Sequence, residues 1–294
     1  MSITRVYSPG ILNELLNKTI IFHNILFESN IKENIIEEIL STTKNHERQI
    51  IRHNYKKLFH HPIQNDIIEK LKDKNLLLYN ISINMLDTPF EYDARELKNA
   101  LSKNNGVDED IIIEILSSRP KKNLEMVDLA YKNFFDISLK EEIQNKLSKE
   151  YSEYLLALMD VERPIEQTIS KEQAFEISKD IIKNGIKLYA TDVSLFKNIF
   201  IEKSRKDLIL ISRAFFELEK KCLLDEIEDN EIQNNKINEI NVERKEINNK
   251  LNLIKNILFA IITPAEFFAH KCKEALTASS GNINNLIRLL ISRA

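Results

Sequence analysis

The tetrapeptide Glu38-Ile39-Leu40-Ser41 returns 76 positions later as Glu114-Ile115-Leu116-Ser117, and this recurrence restricts the fold more than any other feature of the chain. Other landmarks keep the offset. Tyr55-Lys56 with Leu58-Phe59 matches Tyr131-Lys132 with Phe134-Phe135, and Leu71 matches Leu147, so a whole unit is duplicated. A third copy follows at an offset of 84, where Phe196, Ile199 and Phe200 precede Ser204, Leu208, Phe215 and Phe216 as Ile112, Ile115 and Leu116 precede Pro120, Leu124, Tyr131 and Lys132. A fourth opens near Pro264 and reaches Leu286-Ile287-Arg288-Leu289-Leu290-Ile291-Ser292-Arg293.

Each copy reads as helices. In the second, apolar residues recur at three- and four-residue spacing over 93–102, 110–118, 124–135, 139–147 and 152–159. Asp108 is placed to cap the second of these helices, with Glu109 and Asp110 in the first turn, where carboxylates favour the positive end of the helix dipole. Isoleucine is abundant and strand-favouring, but its helical periodicity outweighs its propensity. Only 4 Gly and 6 Pro remain to punctuate a sheet of short strands. Five helices with one apolar face each must stack on neighbouring copies to bury it. From Asn230 to Lys250 the third copy carries the run EIQNNKINEINVERKEINNK, which its siblings lack. Ile240, Ile247, Leu251, Ile254, Leu258 and Ile261 keep helical spacing, so its later half extends the last helix and the loop proper is expected from Asn230 to about Lys236.

Charge and cysteine usage exclude several classes. The 42 basic and 45 acidic residues leave a net charge of −3, too small a field to steer the whole molecule onto nucleic acid, so any membrane or phosphate contact must be local. Cys222 and Cys272 lack ligand spacing, and the start MSITRVYSPG has no apolar signal region; the expectation is a cytoplasmic chain. His60-His61-Pro62 reads as a turn before a fourth helix, since adjacent side chains diverge and no Cys or acid sits at ligand spacing. No nucleophile elbow, P-loop, HExxH or paired-carboxylate pattern is present, so an enzyme is not expected.

Four stretches in order resemble annexin repeats: Asn45-His46-Glu47-Arg48-Gln49; DARELKNAL (93–101) followed by GVDEDIIIEILSSR (106–119); NGIKLYATDVSLF (184–196); and Pro264-Ala265-Glu266-Phe267-Phe268-Ala269 through Leu286-Ile287-Arg288. The resemblance covers the chain from about Ile11 onward. It implies an all-α fold of right-handed superhelical repeats forming a curved disc, divided here into a tail (1–11), copies at 12–88, 89–164 and 165–262 with the insertion at about 230–250, and a partial fourth at 263–294. It also implies calcium-dependent binding to acidic phospholipid. In the family, carbonyls of a Gly-rich loop and a carboxylate 39 residues beyond its Thr hold the ion, which takes six to eight oxygens.

Counting along this chain tests that set. From Ile31 the count reaches Lys70, and from Val107 it reaches Lys146; an ammonium repels the ion there. From Thr191 it reaches Asn230, with Glu231 beside it, so Gly185, Leu188, Ala190, Asn230 and Glu231 form the least damaged calcium set, and Asn104, Gly106 and Glu109 a weaker one in the second copy. The fourth loop, Ala278-Ser279-Ser280-Gly281, has no following acid. Leu188 and Tyr189 stand where the family places a residue inserting among headgroups, with ordinary loop packing the equal alternative, and Lys70 and Lys146 could meet lipid phosphate directly. Asp93, Glu96, Glu114, Arg119 and Arg288 match charged residues lining the centre of the family's disc, read here as a structural network in preference to an ion pathway. The expected function is peripheral binding to acidic phospholipid with weakened calcium dependence. The alternative is a calcium-independent scaffold for cytoskeletal or coat protein. Self-association through the incomplete fourth copy is a further expectation.

Overall fold

The computed structural model describes residues 7–102, 106–236, 242–277 and 283–292, and among these every regular element is a helix. Helices α1 (Pro9–Leu26), α2 (Glu33–Thr42), α3 (Asn45–Phe59), α4 (Ile63–Leu71) and α5 (Leu76–Leu86) are followed by α6 (Pro89–Leu101), α7 (Glu109–Ser118), α8 (Lys121–Phe135), α9 (Leu139–Lys146) and α10 (Lys149–Asp160). The chain continues with α11 (Lys171–Asn184), α12 (Lys187–Thr191), α13 (Val193–Phe196) leading into a π-helical turn (Lys197–Ile201), α14 (Arg205–Glu219), α15 (Leu223–Lys236) and α16 (Val242–Ile262), then α17 (Pro264–Thr277) and α18 (Ile283–Ile291).

The starts of these helices are written locally. Ser8, Asn75, Asp108, Ser138, Ser148, Ser170 and Ser204 each accept a first-turn N–H as side-chain caps. The ends repeat as well. α3, α8 and α14 all close on a left-handed residue, His60 (φ 62°), Asp136 (φ 58°) and Lys220 (φ 55°), at the offsets of 76 and 84 already present in the sequence.

The chain forms two compact units, one running to Tyr92 and resuming at Ala275, the other spanning Asp93–Glu274. In the first, α1 packs on α2, α3 and α4, while α5 meets α2, α3, α4 and α18. Its core joins Leu15, Phe22, Ile25, Ile36, Leu40, Ile51, Tyr55, Ile67, Leu71 and Leu86, each at most 3% exposed. Burying each aliphatic side chain is worth on the order of 2 kcal/mol. In the second unit α10 packs on α7, α8 and α9, α11 on α14, and α16 on α7, α12, α14 and α15.

The insertion departs from expectation. The segment expected as a loop, 230–236, is the continuous end of α15, because its Asn and charged residues tolerate helix where the neighbouring α16 supplies tertiary contact. The extension of the last helix is present: Leu251, Ile254, Ile257 and Leu258 on α16 are fully buried. Ile240 lies outside the described residues.

Candidate functional site

The candidate site comprises the corners between the first two helices of each copy and the side chains beneath them. In the first copy the corner follows α1 directly. Phe27 is 49% exposed, and the Lys70 ammonium, from the end of α4, lies 4.6 Å from its ring centroid while pairing with Glu69 at 2.6 Å. Asn75 ties this corner to the α4–α5 turn, donating to the Glu33 carboxylate at 2.9 Å. The position counted from Ile31 thus reaches the corner in space, but it brings a cation.

In the second copy Gly106 has φ 111° and is exposed, Glu109 opens α7, and Lys146 is exposed at the end of α9. Asn104 lies outside the described residues. Tyr151 is 4% exposed, and burial first, then the negative charge of Glu109, push its hydroxyl up, so Glu109 lies on the α10 side of its own unit.

The third corner is folded more tightly than an open ion-binding loop. Gly185 (φ 76°) ends α11, and its carbonyl accepts the Leu188 N–H at 3.2 Å. The Leu188 carbonyl accepts the Asp192 N–H at 2.9 Å and the Thr191 hydroxyl at 3.0 Å, so the segment is the short helix α12. Ala190 is fully buried. Asn230 donates back along α15 to the Glu226 carbonyl and carboxylate, both at 2.8 Å; Glu231 follows it on α15, its side chain outside the described set. Tyr189 corrects the expectation of an interfacial ring. It is 4% exposed and packs on Phe200 at 5.3 Å, because burying an aromatic ring against the π-helical turn removes more apolar surface than a corner could. Leu188, at 36% exposure, remains on the surface.

The charged residues assigned to a polar network divide between the units. Asp93, 2% exposed, receives Arg119 Nε at 2.7 Å and Nη2 at 3.0 Å, a bidentate pair inside one unit, where Glu114 is 2% exposed and Glu96 half-buried. Arg288 belongs to the other unit, where its carbonyl accepts the Tyr92 hydroxyl at 3.4 Å.

The annexin family profile matches residues 92–158. Annexin A13 of Mus musculus is 30% identical over 197 residues, covering 67% of this chain and 61% of the mouse protein. Among solved structures, annexin III superposes with a TM-score of 0.80 at 21% identity over 95% of this chain and 81% of its own, and calcium-bound annexin (Sm)1 with 0.73 at 19% identity over 98% and 80%. The chain belongs to the annexin family. It spans about three fifths of the mouse relative's length. Among its described residues no helix is long and apolar enough to cross a membrane.

Two polar clusters in this annexin were not read from the sequence. Beneath the first corner, the Tyr55 hydroxyl donates to Asp66 Oδ2, His23 Nδ1 lies 2.8 Å from the Tyr55 oxygen, and His61 Nε2 lies 2.9 Å from the same Asp66 oxygen. At the matching place in the second copy the Tyr131 hydroxyl donates to Glu142 at 2.5 Å, and the Lys98 ammonium reaches both Glu142 oxygens at 2.9 Å. The offset of 76 sets Glu142 on Asp66 as it sets Tyr131 on Tyr55, so the signal was present. The nitrogen groups facing the acid were not recoverable that way: they come from different positions on α1, the α3–α4 turn and α6, and only folding brings them together.

Proposed function

We propose that this chain is a peripheral protein of acidic phospholipid surfaces, built from four annexin-like copies at 12–88, 89–164, 165–262 and 263–294, whose dependence on calcium is weakened or lost. The observation that carries the reading is the third corner, the least damaged in sequence: the Leu188 carbonyl accepts two hydrogen bonds and the Gly185 carbonyl one within the turn that forms α12, instead of both turning outward to an ion. Lys70 over Phe27, in place of a carboxylate, supports it from the first corner. Calcium binding at Gly185, Leu188, Ala190, Asn230 and Glu231 would require α12 to unwind, and at Asn104, Gly106 and Glu109 it would proceed without a distal acid. Leu188, Lys70 and Lys146 remain the lipid contacts. The family is generally non-enzymatic, in keeping with a binding role.

The decisive measurement is co-sedimentation with phosphatidylserine-containing vesicles in calcium and in chelator, for the native chain and for Lys70→Glu with Lys146→Glu. Pelleting in chelator that the double change reduces several-fold is expected. Strict calcium dependence would overturn the weakened-calcium part, and absence of pelleting under every condition the membrane part. One observation favours a second reading, a calcium-independent scaffold for cytoskeletal or coat protein: Leu40, Leu77, Leu78, Ile81 and Met85 line an apolar groove between α2 and α5, with Leu77 52% exposed.

A further inference from the structure

Directly under the first corner lies a stack of rings and titratable groups that the lipid-binding reading does not use. The His23 ring, from the last turns of α1, stacks on Phe59 with centroids 3.7 Å apart and sits 4.7 Å from Phe27, whose ring also meets Lys70. Tyr55 on α3, Asp66 on α4 and His61 in the α3–α4 turn face His23; Glu69 acts on His61, and Glu33, the charged residue opening α2, is held by Asn75. Because Tyr55 commits its proton to Asp66, its oxygen accepts from His23 Nδ1–H, which leaves Nε2 as the atom that takes up a proton.

One carboxylate therefore serves two imidazoles. His23 Nδ1 is 3.8 Å and His61 Nε2 2.9 Å from the same Asp66 oxygen. The second copy has the same Tyr–acid pair, yet there the cation is Lys98, and lysine, unlike histidine, carries no proton equilibrium near neutral pH. We infer that His23 and His61, competing for Asp66, form a pH-dependent latch on the α1–α2 corner: acidification detaches the last turn of α1 and presents Phe27 and Lys70 to an anionic lipid surface. The lipid half rests on the membrane reading above.

The order of protonation supports the latch. His61 is raised above its ordinary value, chiefly by its hydrogen bond to Asp66, so it charges first and claims the carboxylate. His23 is lowered, chiefly by burial, with Asp66 opposing and His61 adding to the fall. A group lowered in the folded state costs stability as pH falls below its unfolded value of about 6.5, whereas raised His61 contributes below that value and loses its contribution as pH rises through its own. Acidification therefore strengthens the His61–Asp66 contact in the α3–α4 turn, and the strain falls on the α1 side, where His23 sits in the ring stack. The charged His23 ring must then leave the Phe59 stack or share an acid already engaged.

Hydrogen–deuterium exchange of the full chain at pH 7.5 and 5.5, corrected for intrinsic rates, tests the latch without lipid. Exchange over 20–32 should rise at pH 5.5 while 96–102 in the second copy stays protected. His23→Gln should abolish the rise, and His61→Gln should reduce its size by leaving Asp66 free to hold a charged His23 in the closed corner. As the sequence contains no Trp, Phe27→Trp gives an independent emission reporter of the same corner. Equal opening of both copies, or an unchanged rise in His23→Gln, would overturn the latch. In chelator, phosphatidylserine vesicles should pellet several-fold more protein at pH 5.5 than at 7.5, and His23→Gln should lose that gain. Opening with unchanged pelleting overturns the lipid half, whereas pelleting that is absent at both pH values overturns the membrane reading itself.

Discussion

Asp207 illustrates how much one buried acid can carry. It is fully buried, and although burial by itself raises its carboxyl, hydrogen bonds from the Thr168 hydroxyl (2.7 Å), Ser204, and the Thr168 and Ile169 N–H groups (2.8 and 3.1 Å) hold its pKa down to about 2. Asp207→Asn should cost about 2 kcal/mol at pH 7 in urea unfolding. Because the folded pKa is depressed, this contribution is present above about pH 4 and lost as pH falls through about 2, so the gap between native chain and variant should close over that range. Asp93 and Arg119 make the same point with a charge pair. Arg119→Met leaves Asp93 buried without its guanidinium and is expected to cost about 3–5 kcal/mol, read as a lowered urea midpoint; replacing both residues by apolar ones of similar volume should recover much of the loss.

At the scale of elements, the corners decide which backbone groups stay open. The third corner turns at Gly185, whose φ of 76° and ψ of 147° suit glycine almost alone, so Gly185→Ala should lower stability by about 1–3 kcal/mol despite open space for a methyl group. Helix α12 then uses the carbonyls that an open loop would offer an ion. Addition of 1 mM calcium should accordingly move the melting temperature by less than about 1 °C, since even a ligand present at its dissociation constant adds only about 0.4 kcal/mol. A rise of several degrees would show that α12 unwinds to bind it. The insertion follows the same logic. Asn-rich composition argued for a loop at 230–236, but α15 packs on α14 and α16, and tertiary contact overrides weak local propensity.

For the whole molecule, a formal net charge of −3 cannot hold the protein at an anionic surface, so on the proposed membrane reading the attraction would come from local cations such as Lys70 and Lys146 and from exposed apolar tips such as Phe27 and Leu188. Vesicle pelleting in chelator should therefore fall as sodium chloride rises from 50 to 300 mM, because the Debye length shrinks from about 14 to about 6 Å, while a remainder owed to apolar contact persists. Salt-independent pelleting would remove the lysines from the mechanism. Size-exclusion chromatography tests the proposed self-association, for which Leu276 and Leu290, 64% and 60% exposed, are the apolar candidates.

The offsets of 76 and 84, the helical spacing, the Asp108 cap and the lysines at the counted positions all lie in the sequence, because periodicity and short-range capping are properties of neighbours along the chain. Even the turn at His60-His61-Pro62 could be read there. What the sequence could not reveal depends on atoms distant in the chain meeting across helix faces. Tyr189 lies in a corner by sequence, yet Phe200 draws it into the core. The Leu188 carbonyl is free or occupied only according to whether α12 closes. His61 has no metal partner by spacing, but folding lays it on Asp66 beside His23, since the left-handed turn at His60 reverses the chain and α1 crosses α3 and α4. Local rules thus determined the helices and their repetition; packing between helices alone decided which polar groups remained open to a ligand.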